Sequence, residues 1–311
     1  MDATVAMFPG QGSQYVGMGS ELSKKYPIAK QTFEEADDAL GFSVSKMCFE
    51  GPESDLSKTA NTQPCILATS IAYWRVLEEK GFSCDYFAGH SLGEYSALVA
   101  SNRLELADAL KLVRIRGEAM QEAVPVGVGA MAAVLRANEE VIQESIDEVK
   151  ILLGDTKENV IEFANFNSPQ QIVIAGHKAP INKMVEELLA RGFKAVALNV
   201  SAPFHSSLMS PARKKMETPL KKVSLKSQSS FILPNVKAEP LKKYQKSMLL
   251  EQIDGPVKWT QTLQKLSELG VKNYLEVGPG KVLSGLAKRT LPKEVALHQT
   301  EKLDQILGML S

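Results

Sequence analysis

Ser91 stands in Gly89-His90-Ser91-Leu92-Gly93, directly after the apolar run Tyr86-Phe87-Ala88. A Gly-x-Ser-x-Gly pattern at a strand end holds a hydroxyl up as a nucleophile on a strained turn between strand and helix, as α/β enzymes do. The glycines let the backbone turn sharply and let neighbouring elements approach. The following stretch, residues 94–100, is short and Ala-rich, as a helix packed under that turn should be. With Gly near 7% of residues and Ser about the same, chance produces the pattern in about one chain in ten of this length. The motif therefore points to nucleophilic chemistry without establishing it.

A serine hydroxyl is a poor nucleophile until a base takes its proton. The chain offers four histidines, His90, His177, His205 and His298. His90 adjoins Ser91, but neighbouring side chains on a tight turn diverge. His205, in Ser201-Ala202-Pro203-Phe204-His205-Ser206-Ser207 at a predicted strand end entering a helix, is the favoured base. No Asp or Glu completes a set by position, and another acceptor, such as a backbone carbonyl, could orient the imidazole. Arg116 is the next telling residue. At ~100° per residue, Asp108, Lys111, Arg114, Glu118 and Glu122 share one polar arc of a predicted helix, and Arg116 lies outside it beside Ala109, Leu112 and Met120. A cation at the edge of an apolar stripe needs a partner. It is either a structural ion pair or a bidentate receptor for a substrate carboxylate, which a planar guanidinium suits better than lysine does. Gln11, between Gly10 and Gly12 at the end of the strand Val5-Ala6-Met7-Phe8, either belongs to a plain tight turn or aims its amide or N–H at a developing oxyanion. That turn lacks the Gly-x-x-x-x-Gly-Lys-Ser/Thr pattern of a nucleotide phosphate loop.

These residues need elements to hold them. Helical patterns cover about 19–42 and 62–79, the second with Thr62 as its N-cap, and 104–120 is amphipathic. A strand is expected over 273–277, before the turn Gly278-Pro279-Gly280. Between 125 and 199 the rhythm changes: a strand at 130–135, a helix at 138–150, a strand pair at 160–166 and 171–175, a helix at 178–191 and a strand at 194–200. The order β-α-β-β-α-β is that of a ferredoxin-like unit. The expectation is an α/β chain: an α/β-hydrolase-like body from 1–124 and 200–311, an inserted ferredoxin-like small subdomain at 125–199, and a ligand cleft between them.

Composition narrows the class. Of the 311 residues, 44% are hydrophobic and 23% charged, with no net charge, as in a soluble globular protein able to bury a full core. No apolar run approaches the ~20 residues of a membrane span, and the start lacks the pattern of a secretory signal. Cys48, Cys65 and Cys84 are odd in number and widely spaced, which fits small core residues in a reducing cytoplasm better than disulfides or zinc. Charge is uneven: Arg213, Lys214, Lys215, Lys221, Lys222, Lys226, Lys237, Lys242, Lys243 and Lys246 face only Glu217 and Glu239 over that stretch. Such a run is either a solvated face or a docking surface for an acidic partner. Few aromatics and no binding motif argue against nucleic acid.

Taken together, Phe8-Pro9-Gly10-Gln11-Gly12-Ser13-Gln14, Thr62-Gln63-Pro64, Gly89-His90-Ser91-Leu92-Gly93-Glu94, Arg116-Gly117, Met120-Gln121, Gly129-Ala130-Met131-Ala132, Asn167-Ser168-Pro169-Gln170, the His205 segment, Pro256-Val257-Lys258-Trp259 and Glu276-Val277-Gly278-Pro279-Gly280 follow one order over nearly the whole chain. That order resembles the malonyl-CoA:acyl carrier protein transacylases and related acyltransferase domains. The resemblance implies that Ser91 is acylated, with His205 as base and acid. It implies an oxyanion hole from Gln11 and the Leu92 N–H, and Arg116 on the malonyl carboxylate. Gln252 matches the position whose backbone carbonyl orients the histidine. It further implies two successive transfers, from malonyl-CoA to serine and then to the phosphopantetheine thiol of acyl carrier protein, by a cytoplasmic monomer of fatty acid synthesis. No cofactor, metal, membrane or nucleic acid takes part. Carrier proteins of this system are acidic, which favours docking on the 213–246 run. Phe204 resembles the bulky residue that crowds a 2-methyl branch in malonyl-selective domains. A serine hydrolase that admits water to the acyl-enzyme, a silent carrier-binding subunit, and an enzyme supplying polyketide synthesis are the rival readings.

Overall fold

The computed structural model describes residues 2–154 and 156–310, and for Met309 and Leu310 only the backbone. Met1 and Ser311, the ends of the expected body, and Asp155 of the expected lobe lie outside the described residues.

Among the described residues nine strands form two sheets. The first has the order β7-β2-β1-β8-β9, from Phe231–Leu233 (β7), Tyr86–Gly89 (β2), Thr4–Phe8 (β1), Asn273–Glu276 (β8) and Ala296–Gln299 (β9), and every pairing is parallel. Its inner strands β1 and β2 and the strand β7 are short apolar runs, as expected where both faces of a parallel sheet are covered. The period of two divides each strand between two cores. Ala6, Phe8, Phe87, Ile232 and Leu275 face one, with Trp74 edge-on to Phe8 and Phe87. Val5, Met7, Ala88, Leu233 and Tyr274 face the other, with Trp259, Leu263 and Leu283.

The second sheet has the order β4-β5-β3-β6, from Ile161–Ser168 (β4), Gln171–His177 (β5), Gly129–Leu135 (β3) and Lys194–Ala197 (β6), all antiparallel. Ala132, Val134, Ile172 and Ile174 pack on the helices Glu139–Leu153 and Lys178–Ala190, while Met131, Ala133, Val173 and Ala175 turn toward the large core of the first sheet. One seam ties the two sheets. Val257 exchanges backbone hydrogen bonds with the bulged strand β4, from Phe166 N–H to Val257 O and from Val257 N–H to Ala164 O, both 2.9 Å. The Thr260 hydroxyl adds a bond to Phe166 O at 3.0 Å. No helix among the described residues is long and apolar enough to cross a membrane.

Two sequence expectations are corrected. The helix expected from Thr62 runs over Thr59–Glu79, after an extended Lys58, and the Thr62 hydroxyl donates back to Lys58 O instead of capping. Pro64, inside that helix, has no N–H for Ala60 O, and the freed carbonyl accepts from Arg114 Nη1 at 3.2 Å. The strand expected at 194–200 ends at Ala197. His205 therefore stands on an irregular segment with a left-handed backbone, φ 60°, before a 3-10 turn at Ser207–Met209 and the helix Ser210–Lys222.

Candidate active site

Parallel strands deliver their carboxyl ends to one edge of the sheet, and ligands of such sheets bind there. β1 ends at Phe8 and runs into Gly10-Gln11-Gly12, while β2 ends at Gly89 and runs into Ser91. Both turns border a cleft of about 450 Å³, whose opposite wall carries Met131, Asn167 and Val173 of the second sheet.

Ser91 is the turn between β2 and the buried helix Gly93–Ala100, with a left-handed φ of 51°. A non-glycine residue holds that conformation only when its surroundings over-determine it. Here they do. A Cβ on Gly89 would lie 1.9 Å from Gly93 O, and one on Gly93 would lie 1.9 Å from Phe8 O. Asn235 braces the turn from outside: its Oδ1 accepts from Ser91 N–H at 2.7 Å, and its Nδ2 donates to Gly89 O at 2.6 Å. Gly93→Ala is expected to destabilise by the upper end of about 1–3 kcal/mol, because the obstacle is backbone and cannot rotate away. A melting temperature several degrees below wild type checks this, and an unchanged one refutes it.

His205 Nε2 lies 2.8 Å from Ser91 Oγ, and His205 Nδ1 lies 2.8 Å from Gln252 O. A carbonyl only accepts, so Nδ1 carries the proton and Nε2 presents its lone pair to the serine hydroxyl. Burial, reinforced by the charge of Arg116, lowers the His205 pKa to about 3. Of the other histidines, His90 bonds Asn167 Oδ1 through Nε2 at 2.8 Å and meets Trp259 edge-on, His177 Nδ1 accepts from Val160 N–H at 3.2 Å, and His298 lies in β9.

Arg116, on the helix Leu106–Glu122, is 1% exposed. It donates to Gln63 Oε1 at 2.9 Å, Ser91 Oγ at 3.0 Å and Gln252 Oε1 at 2.9 Å, and its guanidinium faces the Tyr95 ring. Its Nε has no partner, and no carboxylate pairs with it among the described residues. The structural ion pair is thereby excluded: the cation faces amides, a hydroxyl and a cleft. Burial lowers its pKa.

Gln11 is exposed at the cleft, its amide 3.4 Å from Thr59 Oγ1. Neither its N–H nor that of Leu92, at the start of the helix Gly93–Ala100, meets a protein acceptor among the described residues. The predicted Ser91, His205, Arg116, Leu92 and Gln11 thus line one cleft, and Gln252 is buried behind it, bonded to Arg116, His205 and Ser91 O. Sequence reasoning passed over Asn235 and Tyr244 and gave no role to Gln63 or to the Gln252 side chain. Glu94 carried a usable signal, the one charge in a short Ala-rich helix, and Asn235 carried none. Among the described residues no cluster of His, Cys, Asp and Glu could hold a metal.

The acyl transferase domain family matches residues 5–309. The malonyl CoA-acyl carrier protein transacylase of Bacillus subtilis (strain 168) is 44% identical over 316 residues, covering 100% of this chain and 98% of the relative. The crystal structure of malonyl CoA-acyl carrier protein transacylase from Clostridium perfringens superposes with a TM-score of 0.93 at 38% identity, over 99% of this chain and 97% of that one. A malonyl-transacylase in complex with a type II PKS acyl-carrier protein superposes with a TM-score of 0.89 at 39% identity, over 96% and 95%. With the match running nearly end to end, and relatives well above 30% identity over their full length, the chain belongs to the acyl transferase domain family.

Proposed function

We propose that this chain transfers a malonyl group from malonyl-CoA to the phosphopantetheine thiol of acyl carrier protein through a malonyl-Ser91 ester. The observation that carries the reading is a buried guanidinium without a carboxylate partner among the described residues, 3.0 Å from a serine hydroxyl that is itself 2.8 Å from a neutral histidine. As Ser91 Oγ attacks the thioester carbonyl, its proton passes to His205 Nε2, and the oxyanion is met by the N–H groups of Leu92 and Gln11. The C–S bond then breaks, His205 returns the proton to the departing sulfur, and free CoA leaves. In the second half the carrier thiol gives its proton to His205 and attacks the ester, and Ser91 Oγ departs with that proton. Gln252 O stabilises the imidazolium in both halves. Arg116 holds the malonyl carboxylate, and Phe204 crowds a branch at the acyl 2-position. The two substrates supply all the chemistry, and no resident cofactor is called for.

In architecture, the strand order of the second sheet supports a ferredoxin-like subdomain at 125–199, set into an α/β-hydrolase-like body of 1–124 and 200–311. Carrier docking falls to the basic stretch. There Arg213, Lys215 and Lys226 pair with Asp254, Glu122 and Glu105, while Lys214, Lys221, Lys222, Lys237 and Lys243 are exposed without a carboxylate partner among the described residues. We place the enzyme in the cytoplasm, acting as a monomer in fatty acid synthesis. The test is intact-protein mass after brief mixing with malonyl-CoA, then with holo acyl carrier protein. A malonyl adduct is expected on wild type and absent from Ser91→Ala, and the carrier should discharge it. No adduct, or one lost to water as fast as to carrier, would overturn the reading.

A further inference from the structure

The helix Gly93–Ala100 is buried along its whole length, and Glu94 is its one charged residue. A carboxylate without solvent is costly unless hydrogen bonds replace the water, and three do. Tyr244 OH donates to Oε1, while Asn235 N–H at 3.1 Å and Gln252 Nε2 at 2.6 Å donate to Oε2. Two of those donors go on to the reacting groups. Asn235 braces both sides of the Ser91 turn. Gln252 donates to Ser91 O at 2.9 Å, accepts from Arg116 through Oε1, and presents its main-chain oxygen to His205. The turn, the base and the cation therefore meet, through two intermediaries, on one buried carboxyl group that touches none of the reacting atoms.

We propose that Glu94 is a positioning residue: by anchoring Gln252 and Asn235 it fixes the Ser91 turn, the orientation of His205 and the reach of Arg116 together. The anchoring is by hydrogen bonds and does not require full ionisation. Burial raises the Glu94 pKa to about 7 against the pull of Tyr244, Asn235, Gln252 and Arg116, and it drives the Tyr244 phenol upward as well. Arg116 is the other titratable group acting on the carboxyl group, while Tyr95 and Glu251 act on Tyr244. A carboxyl that gains a proton can donate to the Tyr244 oxygen and still accept at Oε2. The same logic makes glutamine a working replacement: its oxygen serves Gln252 and Asn235, and its amide donates to Tyr244.

The proposal rests on Ser91 as the acylated group, and a fluorophosphonate reads it without any CoA thioester. Wild type, Glu94→Ala, Glu94→Asp and Glu94→Gln are compared by the rate of Ser91 phosphonylation, the rate of malonyl-adduct formation and melting temperature. Glu94→Ala, and Glu94→Asp with its anchor withdrawn by one methylene, are expected to slow both reactions about 10²-fold, the usual effect of small misplacement in such a site. Glu94→Gln is expected to stay within about threefold of wild type, because it preserves the bonds. Should Glu94→Ala not fold, Glu94→Asp carries the comparison alone. Variants that melt earlier but label at the wild-type rate would reduce Glu94 to a structural role and overturn the proposal, as would Glu94→Gln reacting as slowly as Glu94→Ala. A wild type that phosphonylates yet takes no malonyl adduct would overturn the donor assignment instead.

Discussion

His205→Ala is expected to slow acylation of Ser91 about 10²–10⁴-fold, the contribution of a well-placed general base. The geometry already satisfies what that role demands: Nε2 within hydrogen-bond distance of the hydroxyl, and Nδ1 committed to a carbonyl that fixes the tautomer. The depressed pKa adds a second expectation. With a value of about 3 instead of the ordinary 6.5, the imidazole stays unprotonated well below neutral pH. The base form is lost only as pH falls through the lowered value. Phosphonylation of Ser91 by a neutral fluorophosphonate should therefore be level from pH 5.5 to 8 as far as this group is concerned, where an ordinary histidine base would halve the rate near 6.5. A midpoint near 6.5 that disappears in His205→Ala would contradict the buried, neutral base. A variant reacting within threefold of wild type would remove His205 from the chemistry altogether.

What the sequence made legible follows from how each residue is used. Residues that need a particular side chain or a glycine on a turn were readable: Ser91 between its glycines, Arg116 out of register with its polar arc, His205 by elimination among four. In the first sheet β1 and β2 were readable as apolar runs and β8 from its place before the Gly278-Pro279-Gly280 turn, whereas β7 and β9 were not foreseen. The second sheet was legible from its β-α-β-β-α-β order, and its helices were found to within a few residues. The start of the helix Thr59–Glu79 was misplaced because its first turn is held by an extended Lys58 and by Arg114 reaching Ala60 O, neither of which marks the local sequence. The strand after Phe193 was drawn too long: Leu198 N–H still reaches Met131 O of β3 at 2.9 Å, but Leu198 and Val200 line the cleft past the end of the paired strand at Ala197. Asn235 and Gln252 were the hardest to read. One braces a turn 144 residues away, and the other acts partly through its main chain. Long-range hydrogen bonds to backbone leave almost no local trace. The family resemblance alone brought Gln252 forward.

Arg116→Ala is expected to cost about 2–5 kcal/mol of the preference for malonyl over acetyl thioesters, the range for losing one member of a desolvated charge pair. That is roughly 30- to 4,000-fold in the ratio of kcat/KM values. The ratio is the informative quantity, because the substitution also strips donors from Gln63, Gln252 and Ser91 Oγ and so lowers the rate with either substrate. What singles out the carboxylate is the state of the cation before substrate arrives. Its neighbours are neutral amides, a hydroxyl and the Tyr95 ring, with Glu94 held one residue away behind Gln252. A malonyl group, through its one free carboxylate, supplies the missing counter-charge at the cleft side, and an acetyl group leaves the buried guanidinium as it was. Arg116→Lys should recover only part of the preference, since one ammonium cannot keep bonds to Gln63 and Gln252 while gripping a carboxylate in two places. Steady-state comparison of malonyl-CoA and acetyl-CoA on the three proteins decides it. A ratio unmoved by Arg116→Ala would mean that the guanidinium serves only to hold Gln63, Gln252 and the Ser91 hydroxyl in place, and that acyl selectivity comes from the shape of the cleft.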